Sequence, residues 1–158
     1  MATVVKIFTI GHGGLQLEEF LHRLQTHHIL TLADVRRFPA SKRHPHFSRA
    51  ALSGALKKRE INYHWLGEKL GGYRAGGYET YAAAGAFRNG CEELLRLAQV
   101  QPTAFLCAEL DYHACHRRFI AAYLQQQDVE VWHIGKNGEL LSHAAAESGA
   151  TLQIPFAD

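Results

Sequence analysis

Residues 103–134 read TAFLCAELDYHACHRRFIAAYLQQQDVEVWHI. The apolar run ending at Cys107 has the length and composition of a buried strand. A helix opening at Asp111 or Tyr112 and running to about Gln127 follows, with Ile120, Ala121 and Leu124 on one face. The β-branched and aromatic residues 129–134 then form another strand. Strand, helix and strand in one short stretch read as a parallel pair joined by a crossover.

The same alternation extends towards the N-terminus. Residues 4–10 (VVKIFTI) form a strand stopped by Gly11-His12-Gly13-Gly14. Leu15, Phe20, Leu21 and Leu24 then recur near helical spacing across residues 15–26. Residues 29–35 (ILTLADV) are a second strand that runs directly into a basic loop. Ser48 is placed to cap a helix reaching Lys58, with Ala51, Leu52, Ala55 and Leu56 inward. Residues 61–66 form a third strand. Five glycines in residues 67–77 predict a loop, which could act as a lid. Residues 78–100 are mostly helical, with Gly85 and Gly90 expected to divide them into two pieces. Beyond Ile134, Lys136-Asn137-Gly138-Glu139 predicts a turn followed by a weakly ordered tail. No repeat or linker interrupts the chain. The expected architecture is a single three-layer α/β domain over residues 1–158, with its core at about 3–134. Its mainly parallel sheet is flanked by helices.

With 158 residues and 47% hydrophobic content the chain can bury one core. No run approaches the ~20 apolar residues of a membrane span. The N-terminal residues lack a secretory layout, so a cytoplasmic location is expected. Cys91, Cys107 and Cys115 make an odd count, which predicts free thiols rather than a disulfide framework. The net charge of +2 demands no nucleic-acid partner. Its distribution is more informative, because the Arg36–Arg49 loop, RRFPASKRHPHFSR, carries five Lys/Arg and no acid. That loop is either a solvated face or a site that concentrates anions.

In a mainly parallel sheet, ligands bind beyond the carboxyl ends of the strands, where strand order reverses. Residues ill suited to a plain core collect at those ends: His12, Asp34, Arg36, Cys107 and Glu109. Asp34 and Arg36 share one side of an extended strand. They can form an internal ion pair, or divide so that Asp34 orients a donor while Arg36 grips an anion. Cys115 should fall in the first turn of a helix, where unpaired N–H groups and the dipole favour a thiolate beside His116 and Arg117. Cys107 and Cys115 can equally be buried filler, and Cys91 reads as core. The spacing of Cys107, Glu109, His113, Cys115 and His116 matches no paired zinc-ligand arrangement, so neither metal nor cofactor is expected.

Five motifs occur in order: Thr9-Ile10-Gly11-His12, Asp34-Val35-Arg36 with Phe38-Pro39-Ala40-Ser41, Leu70-Gly71-Gly72, Cys107-Ala108-Glu109, and Cys115-His116-Arg117. Together they resemble the domain of unknown function 488 family over about residues 7–134. Gly13-Gly14 departs from the serine or threonine more usual after the first motif. The resemblance implies that the motif residues form one site. There is also a distant architectural likeness to rhodanese-like sulfurtransferases, although Cys107 and Arg117 stand farther apart than the cysteine and arginine of that family's active loop.

Two functions follow as expectations. The first is an enzyme acting on an anionic substrate: a nucleotide, a nucleic acid or a sulfur-bearing compound. Cys107 or Cys115 would be nucleophile or proton donor, and Glu109 or His116 the acid/base. His12 and Asp34 would orient the reacting group. Arg36, Arg37, Ser41, Lys42, Arg43, Gly71, Gly72 and Arg117 would bind the anion. The alternative is a nucleic-acid-binding module built on the Arg36–Arg49 loop, with Phe38, Phe47, Tyr63 and Trp65 as stacking surfaces.

Overall fold

The computed structural model describes residues 4–112 and 115–144, and the backbone of residues 153–154. The chain begins with strand β1 (Lys6–Gly11), helix α1 (Leu17–Thr26) and strand β2 (Thr31–Asp34). A 3-10 turn (Pro45–Phe47) precedes α2 (Arg49–Lys58) and β3 (Asn62–Trp65). Three helices follow: α3 (Gly67–Leu70), α4 (Tyr78–Tyr81) and α5 (Gly85–Val100). Strand β4 (Thr103–Cys107), helix α6 (Arg117–Gln126) and strand β5 (Glu130–Ile134) complete the crossover anticipated from residues 103–134. Two short strands, β6 (Leu140–Ser142) and β7 (Gln153–Ile154), close the sheet.

The sheet order is β3-β2-β4-β1-β5-β6-β7. The first five strands are parallel, and β6 and β7 are added antiparallel. The alternation of burial along each strand divides the core in two. Leu32, Ala104, Leu106 and Ile10 pack under α1 and α2 on one face. Ile7, Ala33, Phe105 and Cys107 pack under α5 and α6 on the other. Connections that use α1 and α2 move from β1 towards β3, whereas those using α5 and α6 move back towards β5. The direction reverses between β1 and β4, which are direct neighbours with Gly11 beside Cys107. That crevice is the switch point at which open α/β sheets bind ligands.

Several local expectations need correction. Gly67–Leu70 is helical rather than part of one loop, while residues 78–100 do form two helical pieces, α4 and α5, parted just before Gly85. Gly90 lies inside α5, where a Cβ would press on the Leu70 side chain and Lys69 Cβ, so this glycine serves packing rather than breaking the helix. Ser48 precedes α2 without a side-chain cap. Helix α6 begins at Arg117, so Cys115 lies two residues before it rather than in its first turn. The segment after Ile134 adds β6 to the sheet, with Gly138 at a φ of 85° in the connecting turn. His113 lies outside the described residues.

Candidate active site

The main-chain ladder does not stop where the strands end. His12 N–H donates to the Cys107 carbonyl at 3.2 Å, Gly13 N–H to Ala108 at 2.8 Å, and Val35 N–H to Leu106 at 3.0 Å. These bonds draw the loops after β1, β2 and β4 together. Glycine at position 11 permits the approach, since a Cβ there would overlap the Glu109 carbonyl. Between the loops lies a cavity of about 420 Å³. His12, Arg36, Arg37, Ser41, Gly72, Cys107, Glu109, Cys115 and His116 line it, together with Phe38, Tyr73 and Tyr78.

On one wall, Arg36 is held from behind. Asp34, fully buried, receives its Nε at 2.9 Å and its Nη2 at 2.7 Å. Nη1 donates to the Phe47 carbonyl at 2.7 Å and to His12 Nε2 at 3.4 Å. Four of the five guanidinium hydrogens are thereby used, one on Nε, two on Nη1 and one on Nη2. Tyr63 donates its hydroxyl to the second Asp34 oxygen, and burial pushes that phenol well above its ordinary range. Asp34 is therefore an internal partner that fixes Arg36, and it does not line the cavity.

His12 stacks on Phe47, their ring centroids 4.5 Å apart, and donates Nδ1–H to the Gly13 carbonyl. Burial lowers its pKa to about 4. With Nδ1 protonated, Nε2 is the acceptor that Arg36 requires. Arg37 is less constrained: one donor goes to the Tyr73 carbonyl at 2.6 Å, and its guanidinium lies 5.4 Å from the Phe38 ring centroid. Ser41 Oγ accepts the His44 N–H at 2.9 Å, which leaves its hydroxyl proton to donate.

The opposite wall carries sulfur. Cys107 and Cys115 are joined as a disulfide, which corrects the expectation of free thiols at those positions. An odd total says that one cysteine must be left over, not which two meet. They are 8 residues apart in the chain and meet beyond the end of β4. Cys91 is the free thiol among the described residues, and burial raises its pKa to about 12.

His116 Nε2–H donates to the Val35 carbonyl at 3.1 Å, an acceptor-only group, so Nδ1 carries the lone pair. That lone pair faces Cys115 Sγ at 3.6 Å. Burial lowers the imidazole pKa to about 4, with the Arg117 charge adding to the effect. The Arg117 backbone N–H points at the same sulfur from the start of α6, at 3.4 Å. Tyr78 covers the imidazole at 5.0 Å between centroids.

Arg117 was expected to grip an anion, but its side chain is turned inward and fully buried. Nη2 donates to the Glu109 and Leu110 carbonyls at 2.7 and 3.0 Å, and Nη1 to Thr9 Oγ1 at 3.2 Å. Burial lowers its pKa to about 10, which leaves it charged at neutral pH. Arg117 thus fastens the loop that follows Cys107 to β1. Gly71 is likewise structural, since a Cβ there would overlap Arg37. Lys42 and Arg43 are exposed and stand apart from the cavity lining. Glu109 lies at its exposed rim.

Tyr73 and Tyr78 were not anticipated, although one tyrosine within and one just after a glycine-rich segment at a sheet's ligand end were a usable signal. Phe47 is fully buried and offers no free stacking face, while Tyr63 is half-buried with its hydroxyl held by Asp34. Trp65 is half-buried beneath the Arg49 guanidinium, 4.8 Å from its ring centroid. Among the described residues, no group of three or more His, Cys, Asp or Glu is arranged to hold a metal. No helix among them is long and apolar enough to cross a membrane.

The family model described as Domain of unknown function DUF488 matches residues 16–124. That span includes Arg36, Cys107, Cys115 and His116 and leaves His12 just outside. Among curated proteins and solved structures, none matches the chain. Because the matched segment covers more than half of the chain and carries both walls of the cavity, the protein belongs to the DUF488 family.

Proposed function

We propose that the chain is an enzyme acting on a small anionic substrate, with reduced Cys115 as the nucleophile. The observation that carries this reading is the line of atoms from the Val35 carbonyl through His116 to Cys115 Sγ, opening on a cavity walled by Arg36 and Arg37. A nucleophile, a base and a group that orients the base are the elements of covalent catalysis. His116 Nδ1 takes the thiol proton, and the Arg117 N–H steadies the sulfur anion. Arg37 and the Ser41 hydroxyl receive the substrate's negative charge, while the Arg36 hydrogen left without a partner among the described residues and the His12 ring shape the inner end.

The test is alkylation of the reduced protein, resolved by residue. Cys115 should react at least about ten-fold faster than Cys91, because only a thiolate attacks. Phosphate or sulfate should slow it, and Arg37→Ala should remove that protection. Equal, slow labelling of all three cysteines refutes the reading.

A second reading, nucleic-acid binding through the Arg36–Arg49 loop, is favoured by Phe38 and Tyr73. These rings are 64% and 85% exposed at the cavity mouth, with centroids 6.0 Å apart. Single-stranded oligonucleotide affinity that falls steeply with salt, and is lost in Phe38→Ala, supports it.

A further inference from the structure

Resting on the reading of Cys115 as nucleophile, we propose that Cys107 is its resolving partner and that the pair exchanges electrons with small anionic disulfides. The two sulfurs are bonded to one another on the wall of the cavity, so an intramolecular disulfide is within reach of both side chains. Their surroundings are unequal, and the inequality assigns the roles. Cys107 closes β4, is 1% exposed, and has its backbone committed to the ladder with β1. Cys115 sits on the loop before α6, is 8% exposed, and has an imidazole nitrogen and a backbone N–H beside its sulfur, whereas among the described residues Cys107 Sγ lies against the Glu109 carbonyl. The outer sulfur attacks and the inner one resolves. Arg37 and Ser41 on the facing wall select a disulfide that carries carboxylates.

The electron and proton balance is complete without a cofactor. Cys115 gives its proton to His116 Nδ1, and the thiolate attacks one sulfur of R–S–S–R. That S–S bond breaks, and the departing RS⁻ takes the proton from His116 to leave as RSH. A mixed disulfide remains on Cys115. Cys107 then attacks Cys115 Sγ, the bond to the bound SR breaks, and the second RS leaves with the Cys107 proton. One disulfide is reduced to two thiols, and the protein dithiol becomes the Cys107–Cys115 disulfide. Run backwards, the sequence oxidises two thiols. The direction follows the surrounding redox poise.

The test uses the full chain, reduced and freed of reductant, then mixed with glutathione disulfide or with the cationic disulfide cystamine. Bond formation is followed by mass spectrometry of unreduced peptides. Glutathione disulfide should produce the Cys107–Cys115 bond about ten-fold faster than cystamine, and Arg37→Ala should narrow that ratio. Cys107→Ser should accumulate a glutathione adduct on Cys115, whereas Cys115→Ser should accumulate none on Cys107. An adduct that forms equally on either sulfur, or a parent protein whose dithiol persists in excess glutathione disulfide, overturns the proposal. If Cys115 is still alkylated selectively in that second case, the nucleophile assignment survives and only the exchange fails. If selective alkylation is lost as well, both fail.

Discussion

His116 spans two chain segments: its Nε2 is bonded to the Val35 carbonyl after β2 and its Nδ1 lies 3.6 Å from Cys115 Sγ before α6. The first contact decides the tautomer, and the tautomer decides that a lone pair faces sulfur. His116→Gln keeps a donor for Val35 but removes the base. Alkylation of reduced Cys115 at pH 7 should slow by about ten-fold or more, within the range for loss of a general base, while the melting temperature changes little. An unchanged alkylation rate would separate His116 from the sulfur chemistry.

Stability should fall on acidification before the carboxylates titrate. His12 and His116 both have folded pKa values of about 4, against an ordinary value of 6.5, because burial disfavours the charged rings. The unfolded chain therefore binds more protons than the folded one between these values, so stability rises with pH across that window. It is fully present above about pH 6.5 and lost as pH falls towards 4, by on the order of 2–3 kcal/mol per ring. Denaturant titrations from pH 7 to pH 4.5 should show the loss, and His12→Asn should flatten the slope.

Asp34 is fully buried against Arg36 and Tyr63. Asp34→Asn leaves the guanidinium buried without its counter-charge and should cost about 3–5 kcal/mol. Tyr63→Phe removes one hydrogen bond to a charged acceptor and should cost about 1.5–3 kcal/mol. Urea midpoints of the two variants, compared with the parent, check both values and their order.

Arg117 and Gly11 meet at the same carbonyl. Arg117→Ala deletes the donors to Glu109 and Leu110 and opens a cavity beneath the Cys107 loop. Gly11→Ala drives a methyl group into the Glu109 carbonyl. Each should destabilise by about 3 kcal/mol or more through a named mechanism for large losses. Each should also reduce Cys107–Cys115 bond formation relative to Cys91 accessibility, measured by thiol counting before and after reduction.

Cys91 provides the internal control. It is buried in α5 with a thiol pKa of about 12, so in the folded protein it should resist alkylation at pH 8 and become reactive only in denaturant. Rapid native labelling of Cys91 would contradict the packing of α5 on β4.

Strand and helix alternation was legible in residues 103–134, because the period of burial along a chain is a local property. The identity of the polar residues at the strand ends was legible for the same reason: Asp34, Arg36 and Glu109 interrupt apolar runs. Local periodicity also misled in places. Gly90 reads as a break until Leu70 is seen against it, and Cys115 reads as helical until the backbone is seen to enter α6 only at Arg117.

The amino-acid order alone determined a parallel α/β layout and a cluster of charged and sulfur-bearing side chains at one end of the sheet. Only tertiary structure decided that β4 inserts between β2 and β1, which sets Cys107 beside Gly11 and opens the crevice. It also decided that Arg117 turns inward to hold backbone carbonyls, that Arg37 remains at the cavity, and that Cys115 bonds to Cys107. The reason is physical: periodicity reports which face of an element avoids water, but the partner that covers that face is chosen by packing between segments far apart in the chain.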